Sequence, residues 1–185
     1  MKVLAFAASS STKSINHQLV RYATSLLEEA EIELLDLNDY ELPLFSEDRE
    51  IELGQPALAK AFLDKIGSSD AVIISFAEHN GSYSVAYKNI FDWASRINQK
   101  VFQNKPMVLL AAAPGAGGAA NVLSAASASA PFFKGEVKAS VSVPNFHENF
   151  DIEQGRITNT EINTQLLTAI NSLLTNTAMA VKQVI

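Results

Sequence analysis

Apolar residues recur along this chain in two alternating rhythms. Short runs of strand character, Lys2 to Ala7, Glu31 to Leu37, Ala71 to Phe76, Met107 to Ala112 and the weaker Val137 to Val143, are separated by stretches of helical period. That alternation predicts an α/β fold with a five-stranded parallel sheet and helices on both faces. The first helix is signalled by Ser14 as N-cap and by Ile15, Leu19, Val20, Ala23, Leu26, Leu27 and Ala30 at helical spacing. The second has Pro56 at its first position, then Leu58, Ala59, Phe62, Leu63 and Ile66 on one face, with Gly67 as its stop.

A third helix is expected from Tyr83 to about Asn98, with Lys88, Asp92 and Arg96 at spacings of four. An Ala/Ser-rich segment ending at Ala130 reads as a weakly marked fourth. The last helix takes Ile162, Leu166, Leu167, Ile170, Leu173 and Leu174 as its core stripe. Two stretches, Asn38 to Gln55 and Pro144 to Asn159, carry no regular pattern and read as long loops. There is no internal repeat, and residues 1–185 are expected to form one domain.

Composition narrows the choice of partner. The chain has 185 residues, 48% of them hydrophobic, enough to bury a sizeable core. A net charge of -6 with scattered Lys and Arg argues against a nucleic-acid footprint and for a small-molecule partner. The absence of cysteine excludes disulfides, thiolate metal sites and cysteine nucleophiles. Any redox role then needs a cofactor. No apolar stretch reaches spanning length, and a cytoplasmic, soluble protein with no membrane partner is expected.

If the strand order is 2-1-3-4-5, the loops after the first and third strands bracket one crevice at the switch point where open α/β sheets bind ligands. The first loop, Ser9-Ser10-Ser11-Thr12-Lys13-Ser14-Ile15-Asn16, runs into a helix N-terminus, where free N–H groups and the helix dipole favour an anion. Lacking glycine, it suits a monophosphate better than a pyrophosphate; an over-capped helix start without ligand is the other reading. The second loop is Ala77-Glu78-His79-Asn80-Gly81-Ser82. His17, His79 and His147 lack metal-ligand spacing, so His79 reads as solvent-facing or stacking. A third loop, Gly115 to Ala120, matches G-x-G-x-x-G/A but follows the fourth strand, which argues against a dinucleotide fingerprint and for a flexible backbone against a flat ligand.

On these residues the chain resembles the NADPH-dependent FMN reductase family, of flavodoxin-like fold. In the first loop Ser9, Ser14 and Asn16 match the family's pattern, while Ala8 and Ser11 replace its glycine and arginine. In the second, Glu78, Asn80, Gly81 and Ser82 match, followed by Lys88, Asn89, Asp92 and Trp93; Ala77 and His79 replace a proline and a tyrosine. The resemblance implies bound FMN, NADPH or NADH as electron donor, and a small-molecule acceptor such as free flavin or a quinone. It further implies a homodimer or homotetramer, with Lys88, Asn89 and Asp92 as loop supports or interface residues. Cofactor-binding positions are then Ser9, Ser11, Ser14, Ile15 and Asn16 at the phosphate, Glu78, His79, Asn80 and Gly81 at the ring, and Ala113, Pro114, Gly115 and Gly118 on its far side. No side chain is nominated as catalytic. A flavodoxin-type electron carrier without NAD(P)H activity is the competing reading.

Overall fold

The computed structural model describes residues 1–182, with side-chain burial described through Leu174. In chain order the elements are β1 (Lys2–Ala8), α1 (Ile15–Ser25), β2 (Glu31–Leu35), α2 (Glu47–Leu53), α3 (Ala57–Gly67), β3 (Ala71–Phe76), β4 (Glu78–His79) and β5 (Ser82–Tyr83). They continue as α4 (Val85–Ile97), β6 (Lys105–Ala112), α5 (Ala120–Ser129), β7 (Gly135–Val143), α6 (Phe146–Asn149), β8 (Phe150–Asp151), β9 (Arg156–Ile157) and α7 (Thr160–Lys182). The central sheet has the order β2-β1-β3-β6-β7, and every pairing in it is parallel. Renumbered by sheet strand alone this is 2-1-3-4-5, the flavodoxin-like order.

Side chains alternate across the sheet, as strand geometry requires. Leu4, Phe6, Val72, Ile74, Phe76, Met107 and Leu109 pack with Phe62, Ile66, Ile90 and Trp93 on one face. Val3, Ala5, Ile73, Val108 and Leu110 pack with Leu19, Val20, Leu166 and Ile170 on the other. Because β1 and β3 are buried on both faces, they read in sequence as unbroken apolar runs.

Several boundaries differ from the sequence expectation. The second strand stops at Leu35, because the Asp36 carboxylate accepts from Asn38 N–H at 2.9 Å and caps a 3-10 turn, Leu37–Tyr40. Asn38 to Gln55 also holds α2, capped by Ser46; none of its residues is buried, so no apolar stripe announces it. Pro144 to Asn159 contains α6 and the β8–β9 hairpin. Pro56 is the N-cap of α3 and not its first residue. The third predicted helix starts only at Val85, after the Ser84 cap, and Tyr83 belongs to β5. Leu58, Leu167 and Leu174 are 38%, 38% and 43% exposed and lie outside the core stripes assigned to them. Among the described residues no helix is long and apolar enough to cross a membrane.

Candidate functional site

Register brings the loops to one edge. Ala8 pairs with Phe76 and Phe76 with Ala111, so β1, β3 and β6 end level and their following loops open side by side.

The first loop is a tight polar arch. Ser9 is buried and its Oγ accepts from Ser11 N–H at 3.2 Å; Ser14 N–H donates to Ser11 C=O at 3.0 Å. Ser14 caps α1 by accepting from Asn16 N–H at 3.2 Å. Ser10, Thr12 and Lys13 are exposed and make no hydrogen bond to any described residue. Ile15 opens the helix, so its N–H has no partner in the helical ladder. A cluster of free N–H groups at a helix start is a cradle for a dianion. Asn16 plays another part. Its buried amide donates to Ala112 C=O at 3.3 Å and accepts from Ala112 N–H at 3.0 Å and Ser75 Oγ at 2.8 Å. It pins the helix start to the ends of β3 and β6, orienting the cradle without facing it.

The second loop is a two-residue hairpin. Glu78 pairs with Tyr83 and His79 with Ser82, while Asn80 (φ 52°) and Gly81 (φ 77°) form the left-handed turn between them. Asn-Gly is the strongest short hairpin signal, and it was present in the sequence. His79, Asn80 and Gly81 are exposed at the tip. Glu78 turns away: its carboxylate accepts from Val122 N–H at 2.9 Å and Asn121 Nδ2 at 3.4 Å, at the positive N-terminus of α5. It fastens the hairpin to the third loop.

That third loop presents Pro114 and Gly115 on the rim, where a Cβ added at Gly115 or Gly117 would meet nothing within 4 Å. Such bare backbone bordering open space can lie flat against a planar ligand. Ala113 is held by Val143 C=O and Phe146 N–H, and Gly115 C=O accepts from Asn145 N–H at 3.1 Å. Gly118 faces inward. It has φ +58°, and its added Cβ would lie 2.1 Å from Ser142 Oγ.

Sequence reasoning missed Ser84. This buried residue caps α4 and donates from Oγ to Ala8 C=O at 2.7 Å, joining the end of the hairpin to the start of the first loop. Its signal was a serine directly before a helical pattern. Beneath the hairpin, burial pushes the Tyr87 phenol well above its ordinary value, with the neighbouring Tyr83 adding to the effect, so Tyr87 stays neutral. Asn89 accepts from Phe45 N–H at 2.8 Å and donates to Leu42 and Pro43 C=O at 3.0 and 3.1 Å, a loop support as expected. Lys88 pairs with Asp92 at 2.7 Å, whereas Arg96 reaches Glu50 of α2 at 2.8 Å.

Known proteins resemble this chain in sequence and in fold. The chain is 34% identical over 121 residues to an NAD(P)H-dependent FMN reductase of Pseudomonas aeruginosa, covering 65% of this chain and 64% of that one. It is 33% identical over 122 residues to an NADPH:quinone oxidoreductase of Arabidopsis thaliana, covering 64% and 61%. The matched region thus spans a little under two thirds of these relatives' length. The solved structure of FerB, a flavoenzyme NAD(P)H:(acceptor) oxidoreductase from Paracoccus denitrificans, superposes with a TM-score of 0.76 at 26% identity, covering 93% of this chain and 94% of that one. An azoreductase from Bacillus anthracis, at 18% identity and a TM-score of 0.66 over 94% and 98% of the two chains, shares the fold. Residues 1–148 match the sequence model described as NADPH-dependent FMN reductase, and the chain belongs to that family.

Proposed function

We propose that this chain, acting as one domain, is an FMN-dependent oxidoreductase that moves reducing equivalents from NADH or NADPH to a quinone or free flavin. The observation that carries the reading is the set of unpartnered N–H groups at Ser10, Thr12, Lys13 and Ile15, beside two glycines whose missing side chains would point into open space. Both features fit FMN, a planar ring ending in a monophosphate. The first loop would hold the phosphate through backbone N–H groups and the Ser11 and Ser14 hydroxyls, with Ser9 and Asn16 fixing its shape. The tip of the hairpin, His79 to Gly81, and the rim of the third loop, Ala113 to Gly115, would hold the ring, with Glu78 and Gly118 locking the two loops in place. When bound, FMN supplies the hydride chemistry; the protein orients it and limits access to it. We assign no side chain a catalytic role. Family membership further supports a cytoplasmic homo-oligomer acting on small molecules.

The test is spectroscopic. The purified protein should show a flavin spectrum on reconstitution with FMN, and anaerobic NADPH or NADH should bleach it. Bound flavin that both nucleotides leave oxidised would identify an electron carrier instead, and no flavin binding would overturn both readings. Ser14→Glu places a negative charge at the phosphate cradle and should weaken FMN at least tenfold, or about 1.4 kcal/mol. Asn80→Asp should weaken it as well, through charge placed beside the ring.

A further inference from the structure

We propose that Ser84 is a positioning residue that couples the two halves of the candidate site, so that an occupied phosphate cradle tightens the hairpin's hold on the flavin ring. The proposal rests on the FMN reading above and gives that cofactor a cooperative mode of binding.

The hairpin is too small to fix its own place. It has two residue pairs, Glu78 with Tyr83 and His79 with Ser82, and a hairpin of that size has little stability in water by itself. Its position follows from its ties. Two of them run to α5: the Glu78 carboxylate accepts from Val122 N–H, and the Tyr83 hydroxyl meets Ser129 Oγ at 3.2 Å. Among the described residues, the one side-chain hydrogen bond from residues 77–84 to residues 8–16 is Ser84 Oγ to Ala8 C=O.

That bond lands where the first loop begins. Ala8 C=O shares a planar peptide unit with Ser9 N–H, so Ser84 also sets the direction in which the chain enters Ser9. Ser9 Oγ then accepts from Ser11 N–H at 3.2 Å, and Ser11 C=O accepts from Ser14 N–H at 3.0 Å. A run of bonds thus joins the end of the hairpin to the N-cap of α1, through the loop that forms the cradle. Ser84 and Ala8 are both buried, and the Ser84 hydroxyl also accepts from Tyr87 N–H at 3.2 Å, which fixes its orientation. A plain helix cap does less. Ser14 and Ser46 cap helices too, but their hydroxyls serve Asn16 N–H and Arg49 N–H of their own helices, while Ser84 reaches 76 residues back along the chain to another element. An anion that orders the first loop therefore restrains the Ala8–Ser9 peptide and, through Ser84, the strand that closes the hairpin.

The experiment splits the cofactor in two. Riboflavin carries the ring and saturating inorganic phosphate fills the cradle, so the gain in riboflavin affinity over a potassium chloride control of equal ionic strength measures the coupling, without any turnover. Wild-type protein should bind riboflavin about fivefold more tightly with phosphate, and phosphate alone should slow amide hydrogen exchange at residues 78–84. Ser84→Gly deletes the hydroxyl while glycine remains an acceptable cap, and it should cut the coupling to less than about twofold. Ser84→Thr keeps both donor and acceptor and should restore it. Ser46→Ala removes a cap that makes no such bond, and should leave the coupling at its wild-type value. Coupling that survives Ser84→Gly would overturn the proposal and reduce Ser84 to a cap. So would a wild-type protein that binds riboflavin equally with and without phosphate, or one whose hairpin amides do not respond to phosphate; neither of these results needs a variant to fold. A wild-type protein that binds neither FMN nor riboflavin would overturn the FMN reading, and this proposal with it.

Discussion

Asn16 serves the candidate site from beneath, by tying the start of α1 to two strand ends. Three hydrogen bonds reach across 59 and 96 residues of sequence to Ser75 and Ala112, and none of these partners has access to water in the crevice. Asn16→Leu would leave a buried hydroxyl and a buried amide unpaired, at about 1–3 kcal/mol each, so a loss of about 3 kcal/mol in urea unfolding is expected. Ser14→Ala removes only an exposed-end cap and should lose about 1 kcal/mol. A loss for Asn16→Leu no larger than that for Ser14→Ala would show the clamp to be idle. The sequence marks Asn16 through the loop's resemblance to the family pattern, but its task depends on strand ends that only the folded sheet brings near. Ser14 needed no such help, because capping is decided within three residues.

At the scale of elements, the three loops respond differently to the same change. At Gly118 an added methyl meets Ser142 Oγ at 2.1 Å and backbone of Pro144 at 3.3 Å, in a left-handed conformation. Gly81 is also left-handed but has room, and Gly115 has both room and an ordinary φ. Thermal melts should therefore rank the alanine variants: Gly118→Ala worst, Gly81→Ala lower by about 1–2 kcal/mol, and Gly115→Ala close to wild type. A Gly118→Ala protein as stable as Gly115→Ala would mean that the third loop shifts freely. Glu33 links β1, β2 and α3 through Lys2 at 2.8 Å and through Lys65. Hydrogen bonds from Lys2, then Lys65, hold its carboxyl below the ordinary glutamate value. Its stabilisation is therefore complete above that ordinary value and is lost as pH falls through the lowered one. Glu33→Gln should lower Tm near neutral pH, and the difference should vanish in acid; a difference that persists there would count against the ion pairs. The elements that escaped the sequence did so for two reasons. With no residue buried, α2 has no period to detect, and β8 and β9 are two residues each.

For the whole molecule, the alternation of strand and helix was enough to give a parallel sheet covered on both faces, while the order 2-1-3-4-5 came with the flavodoxin-like resemblance and is the order the sheet has. What the alternation hides is that the candidate site has no element of its own. It is assembled from the ends of β1, β3 and β6, cross-tied by Ser84, Asn16 and Glu78, so a ligand gripping it binds the folded sheet and nothing in the unfolded chain. Such a ligand must stabilise the whole fold by mass action, about 2.7 kcal/mol at a hundred times its dissociation constant. For a chain of this size that is a rise in Tm of about 5–10 °C. FMN should produce this rise, while riboflavin, which keeps the ring and lacks the phosphate, should produce much less at the same concentration. The gap between them isolates the first loop, and Ser14→Glu should close it by lowering the FMN response to the riboflavin level. A wild-type protein stabilised equally by both flavins would place the ligand on the hairpin and the third loop alone, and the free N–H groups of Thr12 and Lys13 would have no part in binding.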